Sequence, residues 1–322
     1  MRPLRSLLFV PGHRGTWVEK AVASDADAVI LDLEDSVPAH LKEQARQEVV
    51  RSAARLRAAG SPVAVYVRLN SLESGLPGDD LEVVAVEGVD GFMLPKTYGV
   101  EDVVRFDGLV THFERRNGVA PQTFEFIVSL ETAEAYADCD NIARAPRVVT
   151  LFAGVARDGD VSRSIGFQFT PGGLETIYLR SRALLATRAA GLEFPLCGLW
   201  QDLSDKEGAR AFALQNRDLG FRGQVLIHPS HVELVNGIYS PSASEIEFYD
   251  GMIKAFEAAV GDGAAAITYE GMHVDYAHVK TAREILDYSR RLTENVARQT
   301  DTAPSADRSP AGRVSQDAQT SV

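Results

Sequence analysis

Acidic and basic side chains stand at the ends of short apolar segments that recur along the chain. These polar residues are Asp32, Glu34, Asp35, Arg68, Asn70, Lys96, Glu131, Asp160 and His228. Carboxylate oxygens are the ligands that Mg²⁺ and Mn²⁺ prefer, and a guanidinium holds an oxygen that carries negative charge. If the apolar segments are neighbouring parallel strands, their carboxyl ends meet on one face. The sequence therefore predicts a site on that face that binds a metal ion and an anion.

Each of these residues also has a structural interpretation. Residues 32–35 could cap a helix in a solvated loop, because acidic side chains are favoured at helix N-termini. Arg68 could form a structural ion pair with Glu34, and Glu131 could complement the dipole of a helix that starts at ETAEA. His228, which precedes a proline, could also be structural. The recurrence of such residues at successive segment ends is what favours a shared site.

The segment PGHRG, which follows the first apolar run, is a candidate anion site. Its backbone amides, together with Arg14 and the later Lys20, could form a nest for a phosphate or a carboxylate. The sequence contains neither a P-loop nor a G-x-G-x-x-G fingerprint, and no cluster of cysteine and histidine predicts zinc.

Eight apolar, β-branched segments alternate with amphipathic ones, which predicts repeated βα units. The segments are continuously apolar, as expected for parallel strands that are covered on both faces. Eight units favour a closed (β/α)8 TIM barrel over an open sheet, and we assign it to residues 1–235. The predicted strands begin at Ser6, Ala28, Val63, Gly91, Phe124, Val148, Phe194 and Gln224.

A C-terminal helical segment, residues 236–296, is predicted to follow the barrel. It contains a turn at 236–241, a helix at 242–260, the short segment ITYEGMHVD, and an amphipathic helix around 278–292. Residues 297–322 have almost no large apolar side chains, so burial of apolar surface cannot offset the conformational entropy that they would lose on folding. We predict that they form a disordered tail.

The bulk composition excludes some classes of function. A net charge of -12 argues against a nucleic-acid partner, which requires a basic surface, although a small anionic ligand is compatible with it. Cys139 and Cys197 are expected to be buried thiols rather than a disulfide framework. No apolar run is long enough for a signal peptide or a membrane span. We therefore expect a soluble, cytoplasmic protein.

Several sequence blocks resemble the citrate lyase β-subunit-like and malyl-CoA lyase family of the HpcH/HpaI aldolases. In chain order these blocks are LLFVPGHR, VILDLEDSV with KEQAR, VYVRLN, FMLPK, SLETAEA, LGFRGQVLIHPSHV and YEGMHVD. The resemblance implies a (β/α)8 barrel that assembles as a homotrimer or homohexamer and binds Mg²⁺ and a coenzyme A thioester. It also implies reversible Claisen-type cleavage of malyl-CoA, citramalyl-CoA or citryl-CoA into an acyl-CoA and a keto acid.

The resemblance also assigns roles to individual residues. It makes Glu131 and Asp160 the metal ligands and Arg68 a catalytic residue that contacts the substrate. It makes Asp275 a catalytic acid that the C-terminal segment supplies to a neighbouring subunit's active site. The positions that line the substrate and CoA pocket are Phe9, Val10, Arg14, Lys20, Arg68, Glu131, Ile227 and His228.

Two departures from the family pattern lie beside the expected metal. The sixth strand is followed by GVARDGD rather than a G-A-E-D type motif, so Asp158 competes with Asp160 for the role of ligand. The fifth strand continues as ETAEA, where a serine and a later glycine are commoner. These departures bear on the substrate more than on the reaction. Alternative functions are an aldolase acting on free hydroxy-oxo acids, a malyl-CoA thioesterase, and a non-catalytic CoA-binding subunit.

Overall fold

Eight parallel strands close into a barrel in chain order, each paired with the next and β1 with β8. The computed structural model describes residues 2–261 and 263–301. The strands are β1 (Ser6–Pro11), β2 (Ala28–Asp32), β3 (Ala64–Arg68), β4 (Gly91–Leu94), β5 (Glu125–Leu130), β6 (Val148–Gly154), β7 (Leu196–Gly198) and β8 (Gly223–Leu226). The predicted TIM barrel is confirmed, with a strand in each of the eight predicted segments.

Helices surround this barrel, and further helices follow it. They are α1 (Gly15–Val22), α2 (Lys42–Ala58), α3 (Pro77–Val84), α4 (Val100–Arg116), α5 (Ala133–Ala137), α6 (Cys139–Ile142), α7 (Asp160–Ile165), α8 (Ile177–Ala189), α9 (Lys206–Leu219), α10 (Val232–Tyr239), α11 (Ala243–Gly261) and α12 (Tyr276–Asp301). Short 3₁₀ turns occupy Ala39–Leu41, Leu72–Ser74, Leu174–Thr176 and Pro229–His231. Within the described residues, no helix is both long and apolar enough to cross a membrane.

Both faces of the strands are buried, which explains why their apolar residues run consecutively rather than at alternate positions. Side chains such as Leu7, Ile30, Tyr66, Met93 and Phe152 fill the inside of the barrel. The intervening residues pack outward against the helices in a second, larger core. The barrel is therefore a packed core, and reactive groups are confined to its ends.

The strand register brings polar residues to one level at the carboxyl ends of the strands, which we call the mouth. Asp32 closes β2 and pairs in register with Arg68, which closes β3. At the other strands, Lys96 follows β4, Glu131 follows β5 and Ile227 follows β8. The mouth thus gathers the residues that the sequence placed at segment ends.

The C-terminal segment differs in detail from its prediction. Helix α10 continues to Tyr239, so the predicted turn at 236–241 is wrong for its first four residues. The Asn236 side chain accepts a hydrogen bond from Ser6 Oγ and donates one to the Asp25 carbonyl, which anchors α10 to the barrel. These contacts with residues distant in sequence override the weak helix propensity of asparagine.

The segment ITYEGMHVD forms an antiparallel hairpin of β9 (Ala266–Tyr269) and β10 (Met272–Asp275). Both residues of its turn, Glu270 and Gly271, have positive φ, as a two-residue hairpin turn of type I′ requires. Helix α12 then continues to Asp301, past the residue at which the helical segment was predicted to end. The remainder of the predicted tail, residues 302–322, lies outside the described residues.

Helices α11 and α12 and the hairpin share a small core that includes Met252, Phe256 and Val274. Helix α12 also packs on the barrel, because Tyr288 and Leu292 cover Phe194, just before β7. The C-terminal segment is therefore attached at the amino ends of β7 and β8, opposite the mouth.

The thiols of Cys139 and Cys197 are buried and unpaired, as predicted. Burial raises the pKa of Cys139 to about 11 and that of Cys197 to about 12. Both side chains are therefore inert, neutral parts of the core.

Candidate active site

Arg68 is held at the mouth by a two-point ion pair with Asp32. Its Nε lies 2.7 Å from Asp32 Oδ1 and its Nη2 2.8 Å from Asp32 Oδ2, while Nη1 lies 3.1 Å from Glu34 Oε2. The side chains of Arg68 and Asp32 are 13% and 1% exposed. Burial opposes ionisation of Asp32, but Arg68 and the hydrogen bond from Ser36 hold its pKa below its ordinary value. The structural ion pair considered for Arg68 therefore exists, and it fixes the guanidinium at the mouth.

Glu131 lies directly after β5 and is buried, with both carboxylate oxygens engaged. Ser129 Oγ donates to its Oε1 at 2.7 Å, and the backbone N–H of Lys96 donates to its Oε2 at 3.1 Å. Burial raises the pKa of Glu131; the Arg68 charge acts against this, and the nearby Asp160 charge reinforces it. The carboxylate is thus fixed in orientation, and the charges of Arg68 and Asp160 both act on it.

Asp160, the first residue of α7, is the aspartate of the sixth-strand loop whose charge acts on Glu131. Its Oδ2 lies 4.0 Å from Lys96 Nζ, its Oδ1 accepts a hydrogen bond from Arg163, and its side chain is 25% exposed. Asp158 is exposed and has a positive φ. The geometry favours Asp160 over Asp158 as the partner of Glu131.

The Lys96 side chain forms ion pairs with two carboxylates of the mouth, Glu34 and Asp35. Its Nζ lies 2.8 Å from Glu34 Oε1 and 2.9 Å from Asp35 Oδ1. Its backbone has a φ of 46°, which is strained for a lysine and turns the N–H toward Glu131. Burial raises the pKa of Glu34 to about 7, although Arg68 and Lys96 act in the opposite direction. The sequence does not predict that Lys96 orients Glu131, because nothing in the amino-acid sequence indicates a positive φ at this lysine.

The donor set at the mouth fits a hard divalent cation. Glu131 and Asp160 supply carboxylate oxygens, and the hydrogen bonds that hold Glu131 are the kind of support that orients metal ligands. Within the described chain, no three His, Cys, Asp or Glu side chains converge as a metal cage. Two carboxylates without a third ligand suit Mg²⁺, which retains water and substrate oxygens in its coordination shell.

A cavity of about 470 Å³ opens at the mouth between β1 and β8. Six of the predicted binding residues line it, namely Phe9, Val10, Lys20, Arg68, Ile227 and His228. Its wall is mainly apolar, and the Arg68 guanidinium lies 4.8 Å from the centre of the Phe9 ring. Trp17 and Leu199 also line it and were missed, since neither stands at the polar end of a segment.

The predicted anion nest in PGHRG is not formed as expected. The Gly12 N–H donates to the Asp32 carbonyl at 2.7 Å, and the Arg14 N–H donates to the Pro11 carbonyl at 2.8 Å. A Cβ on residue 12 would lie 2.6 Å from that Asp32 oxygen, so glycine is needed for this close approach. Two of the amides are therefore used within the fold. The side chain of Arg14 is exposed beside Trp17 and can meet an anion from outside.

Asp275 does not join the mouth of its own chain. It ends β10, is 42% exposed, and accepts hydrogen bonds from His278 Nδ1 at 2.7 Å and from the Ala277 N–H at 3.0 Å. The hydrogen bond from His278 lowers the pKa of Asp275. Because α12 packs at the amino ends of the strands, this carboxylate is presented outward from the C-terminal segment.

Comparisons with known proteins agree with this fold. The family described as HpcH/HpaI aldolase/citrate lyase matches residues 5–229. An L-malyl-CoA/beta-methylmalyl-CoA lyase of Cereibacter sphaeroides is 35% identical, over 91% of this chain and 96% of that protein. A (3S)-malyl-CoA thioesterase of the same species is 32% identical, over 88% and 94%. The structure of protein CitE from Mycobacterium tuberculosis in complex with magnesium, acetoacetate and coenzyme A superposes with a TM-score of 0.69, at 27% identity, over 89% of this chain and 98% of that one.

Proposed function

This chain is an enzyme of the HpcH/HpaI aldolase/citrate lyase family, and from that premise we propose that it is a Mg²⁺-dependent CoA-ester lyase. Its reaction is the reversible Claisen-type cleavage of a small hydroxyacyl-CoA, of the malyl-CoA, citramalyl-CoA or citryl-CoA type, into an acyl-CoA and a keto acid. The observation that carries this proposal is the gathering of Arg68, Glu131 and Asp160 at the mouth, where Arg68 lines an apolar cavity.

Glu131 and Asp160 would hold the metal ion, which when bound acts as a Lewis acid and template for the keto-acid oxygens. Mn²⁺ has similar ligand preferences and could replace Mg²⁺. Magnesium is present in the CitE complexes, which supports this assignment. The support from this chain is the fixed orientation of Glu131, which is held by Ser129 and Lys96 before any metal arrives.

Arg68 would hold the oxygen on which negative charge develops as the carbon–carbon bond breaks. Its guanidinium is permanently charged and is fixed by Asp32, so little reorganisation is needed during the reaction. One such donor is typically worth about 3–4 kcal/mol of barrier height. The low exposure of Arg68, 13%, strengthens this interaction, because charges interact more strongly where the dielectric constant is below that of water.

The cavity beside Arg68 would receive the thioester. Phe9, Val10 and Ile227 provide an apolar wall for the acyl chain and the pantetheine arm. Lys20 lines the same cavity and Arg14 lies beside Trp17 near its edge, where both can meet coenzyme A phosphates from solvent. His228 flanks the ligand at the end of β8.

Asp275 would transfer the enolate proton in a neighbouring subunit's site. Its outward position on the C-terminal segment supports an assembly in which that segment covers another mouth. A homotrimer or homohexamer provides such an arrangement. We place this assembly in the cytoplasm, where its thioester substrates would occur.

A malyl-CoA thioesterase is the second candidate, favoured by the 32% identity to the enzyme named so. The two reactions differ in their products. A lyase releases acetyl-CoA and glyoxylate from malyl-CoA, whereas a thioesterase releases free CoA and malate. The aldolase and non-catalytic alternatives would leave malyl-CoA intact.

The test is incubation of the purified protein with malyl-CoA, citramalyl-CoA or citryl-CoA, followed by mass analysis. We expect acetyl-CoA and the matching keto acid from at least one thioester, with loss of turnover in EDTA and recovery on adding Mg²⁺. Free CoA without keto acid would replace the lyase by the thioesterase. Intact substrate in all reactions would contradict both.

A further inference from the structure

A second cavity lies at the end of the barrel opposite the mouth. Its volume is about 700 Å³, and it is enclosed by the amino ends of β7 and β8 on one side and by α11 and α12 on the other. Ligand sites of small molecules typically occupy about 300–1,000 Å³. The function proposed above uses none of the residues that line this cavity.

Cationic side chains in this cavity exceed the acidic side chains that neutralise them. Arg283 pairs with Glu257 at 2.7 Å, and Arg291 pairs with Glu193 at 3.2 Å. The lining also contains Arg188, Arg222 and Lys280, and none of these three has a carboxylate within ion-pair distance in the described part of the chain. Glu284 and Asp287 also line the cavity, so five cationic side chains stand against four carboxylates, a small positive excess in a protein whose net charge is -12.

Arg222 is the centre of this excess. It lies directly before β8, and its guanidinium lies 5.3 Å from the centre of the Tyr288 ring. Burial and the Arg188 charge lower the pKa of Arg222, whereas the charge of Glu284 on α12 acts to raise it. Because burying an arginine away from a close carboxylate is costly, an anion in the cavity would stabilise this arrangement.

Aromatic and apolar side chains form the rest of the cavity wall. Tyr276 is 61% exposed, and its ring meets the edge of Phe256 at a centroid distance of 5.0 Å, so one face remains open for stacking. Val260 and Val279 complete this wall. The lining therefore combines an open aromatic face with cations that form no ion pair among the described residues, which is the chemistry that recognises a nucleobase and its phosphates.

We propose that this cavity binds a nucleoside phosphate, with Arg222, Arg188 and Lys280 holding the phosphates and Tyr276 stacking on the base. The site is separate from the mouth and takes no part in the lyase reaction. The nucleoside phosphate could be a free nucleotide or the adenosine end of a second coenzyme A molecule, distinct from the one proposed at the mouth, and the two share this chemistry.

The test is calorimetric titration of ADP and of inorganic phosphate into the full chain without divalent cations. We expect ADP to bind at least tenfold more tightly than phosphate. Arg222→Gln and Lys280→Gln should each weaken ADP binding about tenfold, which corresponds to one charge-assisted contact of about 1.4 kcal/mol. Tyr276→Leu should weaken ADP binding while leaving phosphate binding unchanged.

Lys254→Gln is the matched control, because Lys254 is exposed on α11, pairs with Asp250 and lies outside the cavity lining. Lys280 is exposed, so its substitution tests the site even if Arg222→Gln disturbs folding. Failure of ADP to bind, binding no tighter than that of phosphate, or equal affinities in Lys280→Gln and Lys254→Gln would each overturn the proposal. Lyase turnover is not part of this test, so the two proposals fail independently.

Acetyl-CoA distinguishes the two sources of the nucleotide. Displacement of bound ADP by acetyl-CoA would show that the cavity takes the adenosine end of the coenzyme. Simultaneous binding of both would show that the cavity takes a free nucleotide.

Discussion

At the scale of single residues, the site depends on charges that are paired before any ligand binds. Arg68 is held by Asp32, and Lys96 is held by Glu34 and Asp35. These pairs hold the cations at the mouth, and the backbone N–H of Lys96 holds Glu131. Pre-organisation of this kind is what makes electrostatic stabilisation effective in catalysis.

Arg68→Gln should lower turnover at least a hundredfold, because the charge that stabilises the developing oxyanion is lost. It should also lower stability by about 3–5 kcal/mol, since Asp32 is left buried without its partner. Steady-state kinetics and urea unfolding measure the two effects. Arg51→Gln removes an exposed guanidinium of α2 and serves as the control. Turnover in Arg68→Gln within a few fold of the Arg51→Gln value would contradict the assigned role.

The two aspartates of the sixth-strand loop can be separated by metal binding. Glu131→Gln and Asp160→Asn should each abolish measurable binding of Mg²⁺ or Mn²⁺, because a two-carboxylate site loses half of its charge. Asp158→Asn is the matched control and should bind as the wild type does, since Asp158 is exposed. Titration calorimetry with MnCl₂ gives the affinities. Loss of binding in Asp158→Asn with retention in Asp160→Asn would reverse the assignment.

At the scale of elements, the strands and their polar ends were predictable and their local connections were not. A continuous apolar run identifies a strand that is buried on both faces, and the first polar residue after that run identifies the carboxyl end of the strand, which lies at the mouth. Lys96 and Asn236 show where such patterns fail. The positive φ of Lys96 and the tertiary hydrogen bonds of Asn236 depend on groups from distant segments.

A buried ion pair ties α4 to the amino ends of β5 and β6. Glu114 accepts hydrogen bonds from Arg147 Nη1 at 2.7 Å and Nη2 at 2.8 Å, and from the Thr123 N–H at 2.9 Å. Both charged side chains are almost fully buried. This pair lies at the end of the barrel opposite the mouth. We therefore predict that it affects stability and not catalysis.

Glu114→Gln should therefore destabilise the fold by about 3–5 kcal/mol, because Arg147 is left buried with an incomplete partner. Burial acts to raise the pKa of Glu114, but the bonds from Arg147 and the backbone hold it below its ordinary value. The ionised pair is thus present above the ordinary glutamate range and is lost as pH falls below it, so wild type and variant should converge in acid.

Urea unfolding at neutral and acidic pH tests both the destabilisation by Glu114→Gln and its disappearance in acid. Arg116→Gln, which breaks the exposed pair with Glu82, should cost less than about 1 kcal/mol and is the control. Equal stability of the two variants at neutral pH, or a Glu114→Gln deficit that persists in acid, would contradict this account.

At the scale of the whole molecule, the chain has a mouth that lacks an acid from its own C-terminal segment. Asp275 is presented outward, and α12 is attached at the opposite end of the barrel. The structural neighbour spans both the barrel and this segment, at 89% coverage of this chain. Under the role proposed for Asp275, assembly of subunits is part of catalysis.

Mixing two inactive variants tests this dependence. Asp275→Asn and Arg68→Gln should each be inactive alone, whereas subunits exchanged between them should regain part of the activity, because some sites then combine an intact mouth with an intact Asp275. Light scattering confirms that the mixed species are oligomers. Absence of recovery in mixed oligomers would indicate that Asp275 serves its own chain or serves no site.

The most direct measurement of the central claim is a crystal structure with Mg²⁺ and a keto acid bound. This account predicts one ion at the mouth, with oxygens of Glu131 and Asp160 at about 2.1 Å, the usual Mg²⁺ distance, and Arg68 within hydrogen-bond reach of the ligand. An ion bound elsewhere, an ion held by Asp158 in place of Asp160, or an Arg68 that faces away from the ligand would contradict it.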